Sequence, residues 1–472
     1  MKSRCKELPE ELWESILDRL VLNDYYGDLK SPSLVCKQFL SITNRLRHKF
    51  VARGYKWCDA LSRALERFRN LKEIALYPKQ TLPDVESSIL KIAYSGLDLQ
   101  SLCFRSFPIS PSADSFRRLG CTMSNLKVLR CTRFGSLSDP DLVHIADAVP
   151  RLEELDIQYP TNEFEPSEDR YPELSNHMVT DAGIKTISLK LQGLRRINIS
   201  GIEGCSDRSL IALSSNCVHL NEIHCCRSRI TRGGIYWVLC HSTNLTSLHA
   251  VSQAEIYGSS TNSSFTYDDL KICATGLREL IICDSMVHQE RLVCSIAKAG
   301  ILLEKLELGS SYDLNINGFT TMLRACPTLK HFKLCGEYLV NHNEISEICR
   351  CLPNIISIYL DCCSSLMAIF SVFAKECPAL SKITLRVRSI IGPFKLIQDD
   401  FVLNQVRYLD LSSAWRLNDK LLKEIVTACP NLHTLEVEGC PWLTKEGLEE
   451  ILKCCPQIKH LRSAKLRGSL SE

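Results

Sequence analysis

A phrase of the form Leu-x-x-Leu-x-Leu returns along this 472-residue chain about every 26 residues, and its spacing constrains the fold more than any single residue does. It reads Leu303, Leu306, Leu308, then Leu329, Phe332, Leu334, then Ile355, Ile358, Leu360, then Leu380, Ile383, Leu385, and continues from Val406, Leu432 and Ile458. The steps between first members are 26, 26, 25, 26, 26 and 26 residues. Earlier copies begin at Leu71, Leu99, Leu126, Leu152, Leu194, Leu220, Leu245 and Leu277, which makes fifteen. A fixed period of this size means stacked supersecondary units around one continuous core, because a single unit cannot bury its own apolar face. The expectation is a solenoid.

Each turn has the same second half. After the strand phrase comes a loop and then an apolar residue, Ser, Thr or Asn, and often Gly, as in Val179-Thr180-Asp181-Ala182-Gly183 and Leu443-Thr444-Lys445-Glu446-Gly447. The hydroxyl or amide is a helix N-cap, accepting from backbone N–H groups that have no intrahelical partner. Apolar residues follow at helical spacing, as in Leu448, Ile451 and Leu452, and many helices stop at a proline such as Pro150, Pro327, Pro353, Pro378, Pro430 or Pro456. Strand, loop, helix and return describe a leucine-rich repeat. The predicted fold class is α/β: a leucine-rich-repeat solenoid, a horseshoe of about fifteen strand-helix repeats over residues 71–472.

Net charge is only +3 and 45% of residues are hydrophobic, so the chain can bury a large core and carries no field of the kind nucleic-acid binding needs. No apolar run approaches the roughly 18 residues of a membrane span, and the opening Met1-Lys2-Ser3-Arg4-Cys5-Lys6-Glu7 does not read as a signal peptide. A soluble protein of the nucleus and/or cytoplasm is expected, with neither nucleic acid nor membrane as partner. The 25 cysteines are an odd number and many fall at matching repeat positions: Cys326, Cys377, Cys429 and Cys455 each precede a helix-ending proline. They read as reduced packing residues. The densest cluster, Cys217, His219, His224, Cys225 and Cys226, alternates along a strand and therefore diverges. No metal and no cofactor are expected, and neither a phosphate loop nor a nucleophile-and-base motif is present to suggest an enzyme.

Residues 1–50 lie outside the period. Leu8-Pro9-Glu10-Glu11-Leu12 opens a helix in which Leu12, Ile16, Leu17 and Leu20 form one apolar face, and Ser33-Leu34-Val35-Cys36-Lys37-Gln38-Phe39 leads a second helical segment on to Ile42 and Leu46. The order Leu-Pro-x-Glu-Leu, Ile-Leu-x-x-Leu, Ser-Leu-Val-Cys-Lys-x-Phe resembles the F-box. Joined to cysteine-containing leucine-rich repeats, the chain resembles the F-box/LRR proteins, and the wording around Asp28 to Lys37 is similar to plant members. Phe39 stands where many F-boxes have Trp, which keeps an aromatic anchor.

The resemblance implies a small all-α F-box domain at 1–50, with 51–70 a connecting helix. It also implies a non-catalytic role as substrate-recognition subunit of an SCF-type (Skp1-cullin-F-box) ubiquitin ligase, recruiting a protein for ubiquitination and proteasomal degradation. Leu8, Pro9, Leu12, Ile16, Leu17, Leu34, Val35, Cys36 and Phe39 would contact a Skp1-like adaptor, and through it a cullin, or support those that do. The competing reading is an LRR scaffold or inhibitor that clamps a partner without any ligase connection.

Between the core leucines, alternate strand residues face the concave surface. These include Arg196, His224, Lys305, Lys333, Tyr359, Lys382, Arg386 and Tyr408, the candidate substrate-binding residues, with basic character denser in the second half. The spacing lengthens to 42 residues after Leu152 and to 32 after Leu245. Insertions in repeat proteins map to loops on one face, so 159–175 and 259–264 are expected to form a rim beside that surface.

Overall fold

The computed structural model describes residues 8–23, 29–54, 57–78, 85–107, 109–159, 179–251, 271–283, 289–309, 316–335, 342–362, 366–387 and 401–464. The chain divides into two compact units, Met1–Arg229 and Ile230–Glu472.

In the first unit, α1 (Glu10–Asn23), α2 (Lys30–Ser33) and α3 (Lys37–Leu46) form a small helical domain around Leu17, Leu29, Ile42 and Leu46, with Trp13 packed against them. Strands and helices then alternate: β1 (Lys49–Gly54), α4 (Trp57–Arg67), β2 (Glu73–Pro78), α5 (Val85–Ala93), β3 (Ser101–Arg105), α6 (Ala113–Thr122), β4 (Val128–Thr132), α7 (Asp139–Ala148), β5 (Glu154–Asp156), α8 (Asp181–Lys190), β6 (Arg196–Asn198), α9 (Asp207–Asn216) and β7 (Glu222–His224). Each strand pairs in parallel with the next.

The second unit continues the pattern with α10 (Arg232–His241), β8 (Ser247–Val251), β9 (Glu279–Cys283), α11 (Gln289–Ala299), β10 (Lys305–Gly309), α12 (Ile316–Ala325), β11 (His331–Cys335), α13 (His342–Arg350), β12 (Ser357–Cys362), α14 (Leu366–Glu376), β13 (Lys382–Val387), β14 (Tyr408–Asp410), α15 (Asp419–Thr427), β15 (Thr434–Glu436), α16 (Lys445–Cys454) and β16 (His460–Arg462). Its strands are likewise parallel from β8 to β16. Both units are leucine-rich-repeat-like α/β solenoids.

The fifteen phrases carry β2 to β16. Their leucines are inside: Leu306, Leu334, Leu360, Leu385, Leu409 and Leu435 have 1% exposure or less. Fully burying each such side chain contributes on the order of 1.5–3 kcal/mol, and every turn lends its neighbour one wall of the core. One strand comes earlier than the phrase: residues 49–54 are β1, paired to β2, and only 57–67 of the stretch expected as a connecting helix are helical. The leucine position of that turn is taken by Arg47, whose guanidinium lies over the Phe68 ring at 5.0 Å.

The helix starts are tied from turn to turn. Thr180 caps α8, its hydroxyl accepting from the Ala182 amide, while its own amide and hydroxyl donate to the Asp139 carboxylate one turn earlier, at 2.7 and 2.6 Å. Asp181 receives Ser206 in the same way, at 2.8 and 2.6 Å, and Asp419 receives Thr444 at 2.9 and 2.7 Å. Glu86 accepts from Ser112 and Ser115. A carboxylate at one helix start thus satisfies donors at the next.

Candidate functional site

The N-terminal helices place their apolar residues on two sides. The sequence assigned Leu12, Ile16 and Leu17 to one face of α1, and here the structure corrects it. Trp13 and Leu17, four apart, turn inward, and Leu17 is 3% exposed in the domain core. Leu12 and Ile16, also four apart, turn outward at 50% and 43% exposure. A helix with apolar residues on both sides buries one and offers the other.

Leu8 is exposed just before α1, where the Pro9 carbonyl accepts from the Leu12 and Trp13 amides and starts the helix. Leu34 and Val35 stand out from the turn between α2 and α3, at 78% and 67% exposure. Cys36, also exposed, caps α3 through its sulfur, which accepts from the Phe39 amide at 3.4 Å. The Phe39 ring meets Trp13 edge-on at 4.7 Å. Arg45 on α3 pairs with Glu10 and Glu14 on α1 at 2.5 and 3.4 Å.

Of the nine residues singled out here, then, Leu8, Pro9, Leu12, Ile16, Leu34, Val35 and Cys36 are exposed or at the surface. Leu17 lies in the core, and Phe39 is half-buried against Trp13. Five large apolar side chains thus stand exposed on this small domain.

The strand residues that alternate with the core leucines form two separate sets. In the first unit Arg196 meets Glu222 at 3.1 Å and Glu154 at 3.7 Å, and His224 meets Glu222 at 3.0 Å. Arg130 meets Glu154 at 2.6 Å and Lys49 meets Glu73 at 2.8 Å.

In the second unit Lys305, Lys333, Tyr359, Lys382, Arg386 and Tyr408 come together over β10 to β14. An open depression of about 390 Å³ is lined by Lys305, Lys333, Tyr359 and Lys382, along with Glu279, Glu307 and His331. Arg386 is held by Asp410 through two parallel bonds of 2.9 and 2.7 Å. Burial works against the Asp410 charge, but Arg386 and Ser412 outweigh it and hold the carboxyl pKa below its usual value. Burial and the Glu436 carboxylate push Tyr408 up to about 12, so its hydroxyl stays protonated.

The 19 cysteines whose side chains are described are free thiols. Cys217, Cys326 and Cys440 donate to backbone carbonyls of the preceding turn, those of Ser188, Ile301 and Leu411, at 3.5, 3.3 and 3.3 Å. Burial raises the thiol pKa to about 12 at Cys205 and about 11 at Cys217, far from a reactive thiolate. Among the described residues no three His, Cys, Asp or Glu side chains converge as metal ligands, and no helix is long and apolar enough to cross a membrane. The rim expected from 159–175 and 259–264 lies, apart from Tyr159, outside the described residues.

Residues 6–50 match the F-box domain, so an F-box precedes the repeats. F-box/LRR-repeat protein 4 of Bos taurus is 25% identical over 157 residues, which are 32% of this chain and 25% of that protein. The chain therefore spans about a quarter of the length of the curated relative it matches. The crystal structure of the Rad7 and Elc1 complex in yeast is also similar, at 15% identity and a TM-score of 0.48, covering 93% of this chain and 96% of that one.

Proposed function

We propose that this chain is the substrate-recognition subunit of an SCF-type ubiquitin ligase. Its F-box surface docks a Skp1-like adaptor and through it a cullin, and its repeats hold a protein substrate for ubiquitination and proteasomal degradation in the nucleus and/or cytoplasm. The chain contributes binding surfaces, and a separate enzyme of the assembly transfers ubiquitin.

The observation that carries this reading is the exposure of Leu8, Leu12, Ile16, Leu34 and Val35 on a domain that matches the F-box. Fully burying such a side chain contributes about 1.5–3 kcal/mol, and docking on an apolar partner recovers the part still exposed, about half of it for Leu8, Leu12 and Ile16 and more for Leu34 and Val35. Leu8→Ala with Pro9→Ala, and separately Leu34→Asp, should each weaken co-purification with a Skp1-like adaptor by about thirtyfold or more, as truncation of a hot-spot contact near 2 kcal/mol does. The domain core of Leu17, Leu29, Ile42 and Leu46 is untouched by either change. Adaptor recovery unchanged by both variants would leave the chain as a scaffold without a ligase role.

A further inference from the structure

The strand surface of the second unit gathers three lysines, Lys305, Lys333 and Lys382, around one depression. In the first unit Lys49, Arg130 and Arg196 each meet a carboxylate within 3.1 Å at the nearest approach, and Arg53 lies over the Tyr77 ring at 5.4 Å. In the second, Glu307 lies 3.3 Å from Lys305 and 3.4 Å from Lys333, and Glu279, opposite Lys305 in the register, is the second carboxylate of the depression and meets His249 at 3.3 Å. Lys382 has an aromatic face instead, its ammonium 4.3 Å from the Tyr408 ring centroid. Lys333 is likewise 5.0 Å from the centroid of Tyr359. Flexible lysines pay rotamer entropy to bind, and ring faces that hold the ammonium groups in place reduce that cost.

We infer that the depression over β10 to β13 binds an extended acidic peptide, with carboxylates at alternate positions reaching Lys305, Lys333 and Lys382. This rests on the reading of the repeats as a substrate receptor and names the substrate's chemistry.

Geometry selects dispersed carboxylates over one concentrated dianion. The register pairs Lys305 with His331, His331 with Ser357 and Ser357 with Lys382, so the outer lysines stand three strand intervals apart, roughly 14 Å. Lys333 lies between them on the adjoining row, opposite Glu307 and Tyr359. In an extended chain, residues four apart are separated by roughly 13 Å, so the first and third of three alternate acids match the outer lysines and the second falls near Lys333. The Arg386 guanidinium has its fork occupied by Asp410 and is not offered to a phosphate. Burial and then Lys305 lower the His331 pKa and disfavour its charged form.

The probe is a fluorescein-labelled peptide with three glutamates at alternate positions and serines between them, titrated against the full chain by anisotropy. Two counterparts complete the set: one with glutamines for the glutamates, and the same with a single central phosphoserine. The glutamate peptide should bind about tenfold more tightly than either counterpart and should weaken as salt is added. Lys333→Met and Lys382→Met should each reduce its affinity several-fold, whereas Lys423→Met, on the helix side beside Glu450, should not. Equal binding of the glutamate and glutamine peptides, tighter binding of the phosphopeptide, or full affinity in both lysine variants would overturn the inference. If a lysine variant fails to fold, the three peptides on the unaltered chain still decide it. Adaptor co-purification depends on the F-box alone, so its loss would sink the ligase reading while this titration stood or fell separately.

Discussion

Gly183 gives the sharpest test of how the repeats are tied together, because its effect should change sign with the residue one turn before it. A Cβ added at Gly183 would lie 2.1 Å from Oδ1 of Asp139 and 3.1 Å from Cδ1 of Leu142. That carboxylate is the one that accepts from the Thr180 amide and hydroxyl. Gly183→Ala therefore forces it aside. Two charge-assisted hydrogen bonds at a half-buried site contribute about 2 kcal/mol together, and replacing glycine by alanine in a helix returns about 1. The net expectation is a loss of about 1 kcal/mol. Asp139→Ala alone should cost about 2 kcal/mol, since it strands the same two donors. With Asp139 already alanine, the obstacle is gone, only a leucine methyl must give, and Gly183→Ala should stabilise by about 0.5–1 kcal/mol. The four proteins form a double-mutant cycle, read from the first urea transition together with hydrogen exchange of the Thr180 and Ile184 amides. If Gly183→Ala destabilised equally in both backgrounds, the glycine would be needed for some other contact and the carboxylate bracket would not be what selects it.

Two further outcomes follow from the same geometry. Leu306→Ala and Leu435→Ala should each destabilise their unit by about 2–5 kcal/mol in denaturant melts, while Lys305→Ala and Thr434→Ala should stay within about 0.5 kcal/mol; equal damage from Lys305 and Leu306 would reverse the assignment of inside and outside. At Asp181, burial opposes the charge but hydrogen bonds from Ser206 and Ser209 more than offset it and depress the pKa, so its contribution is fully present above the unfolded value of roughly 3.9 and is lost as pH falls through the folded one. Melting temperature should thus fall less steeply between about pH 5 and pH 3 in Asp181→Asn than in the unaltered chain, and parallel slopes would show that Asp181 contributes nothing of this kind.

The strands were legible because burial repeats: leucines with no access to water leave a period that survives in the sequence whatever else varies. Where burial is shared with another interaction, the period fails. Arg47 occupies a leucine position by laying its guanidinium on Phe68, and β1 vanished from the pattern with it. Periodicity also says that a residue is apolar without saying which side of a helix meets the core. Leu12 and Ile16 share one side of α1, and Trp13 and Leu17 the other; only the packing of Leu17 on Ile42 and Leu46 reveals which is inside.

The carboxylate bracket was readable and was missed. The N-caps Thr180 and Thr444 stood out, but an acid directly after one N-cap and a glycine or serine three residues after the next is a joint pattern across two turns. Asp139 with Gly183, Asp181 with Ser209 and Asp419 with Gly447 all fit it. Glycine yields space to the carboxylate, and Ser209 donates to Asp181 at 2.5 Å. Both solutions answer one demand, that the helix start be satisfied without water where turns stack closely.

No such demand acts on the strand face opposite the core. A lysine there can point into solvent, meet a carboxylate or rest on a tyrosine at little difference in stability, since exposed pairs contribute about 0–1 kcal/mol. The sequence could therefore say that Lys305, Lys333 and Lys382 share a surface. It could not say that Arg386 is taken up by Asp410, or that Glu307 is divided between two lysines. Lys333 with Glu307 and Arg386 with Asp410 join neighbouring strands, 26 and 24 residues apart in sequence. They decide which charges are left for a partner, and so the specificity of such a surface lies in its register, while its stability lies in its leucines.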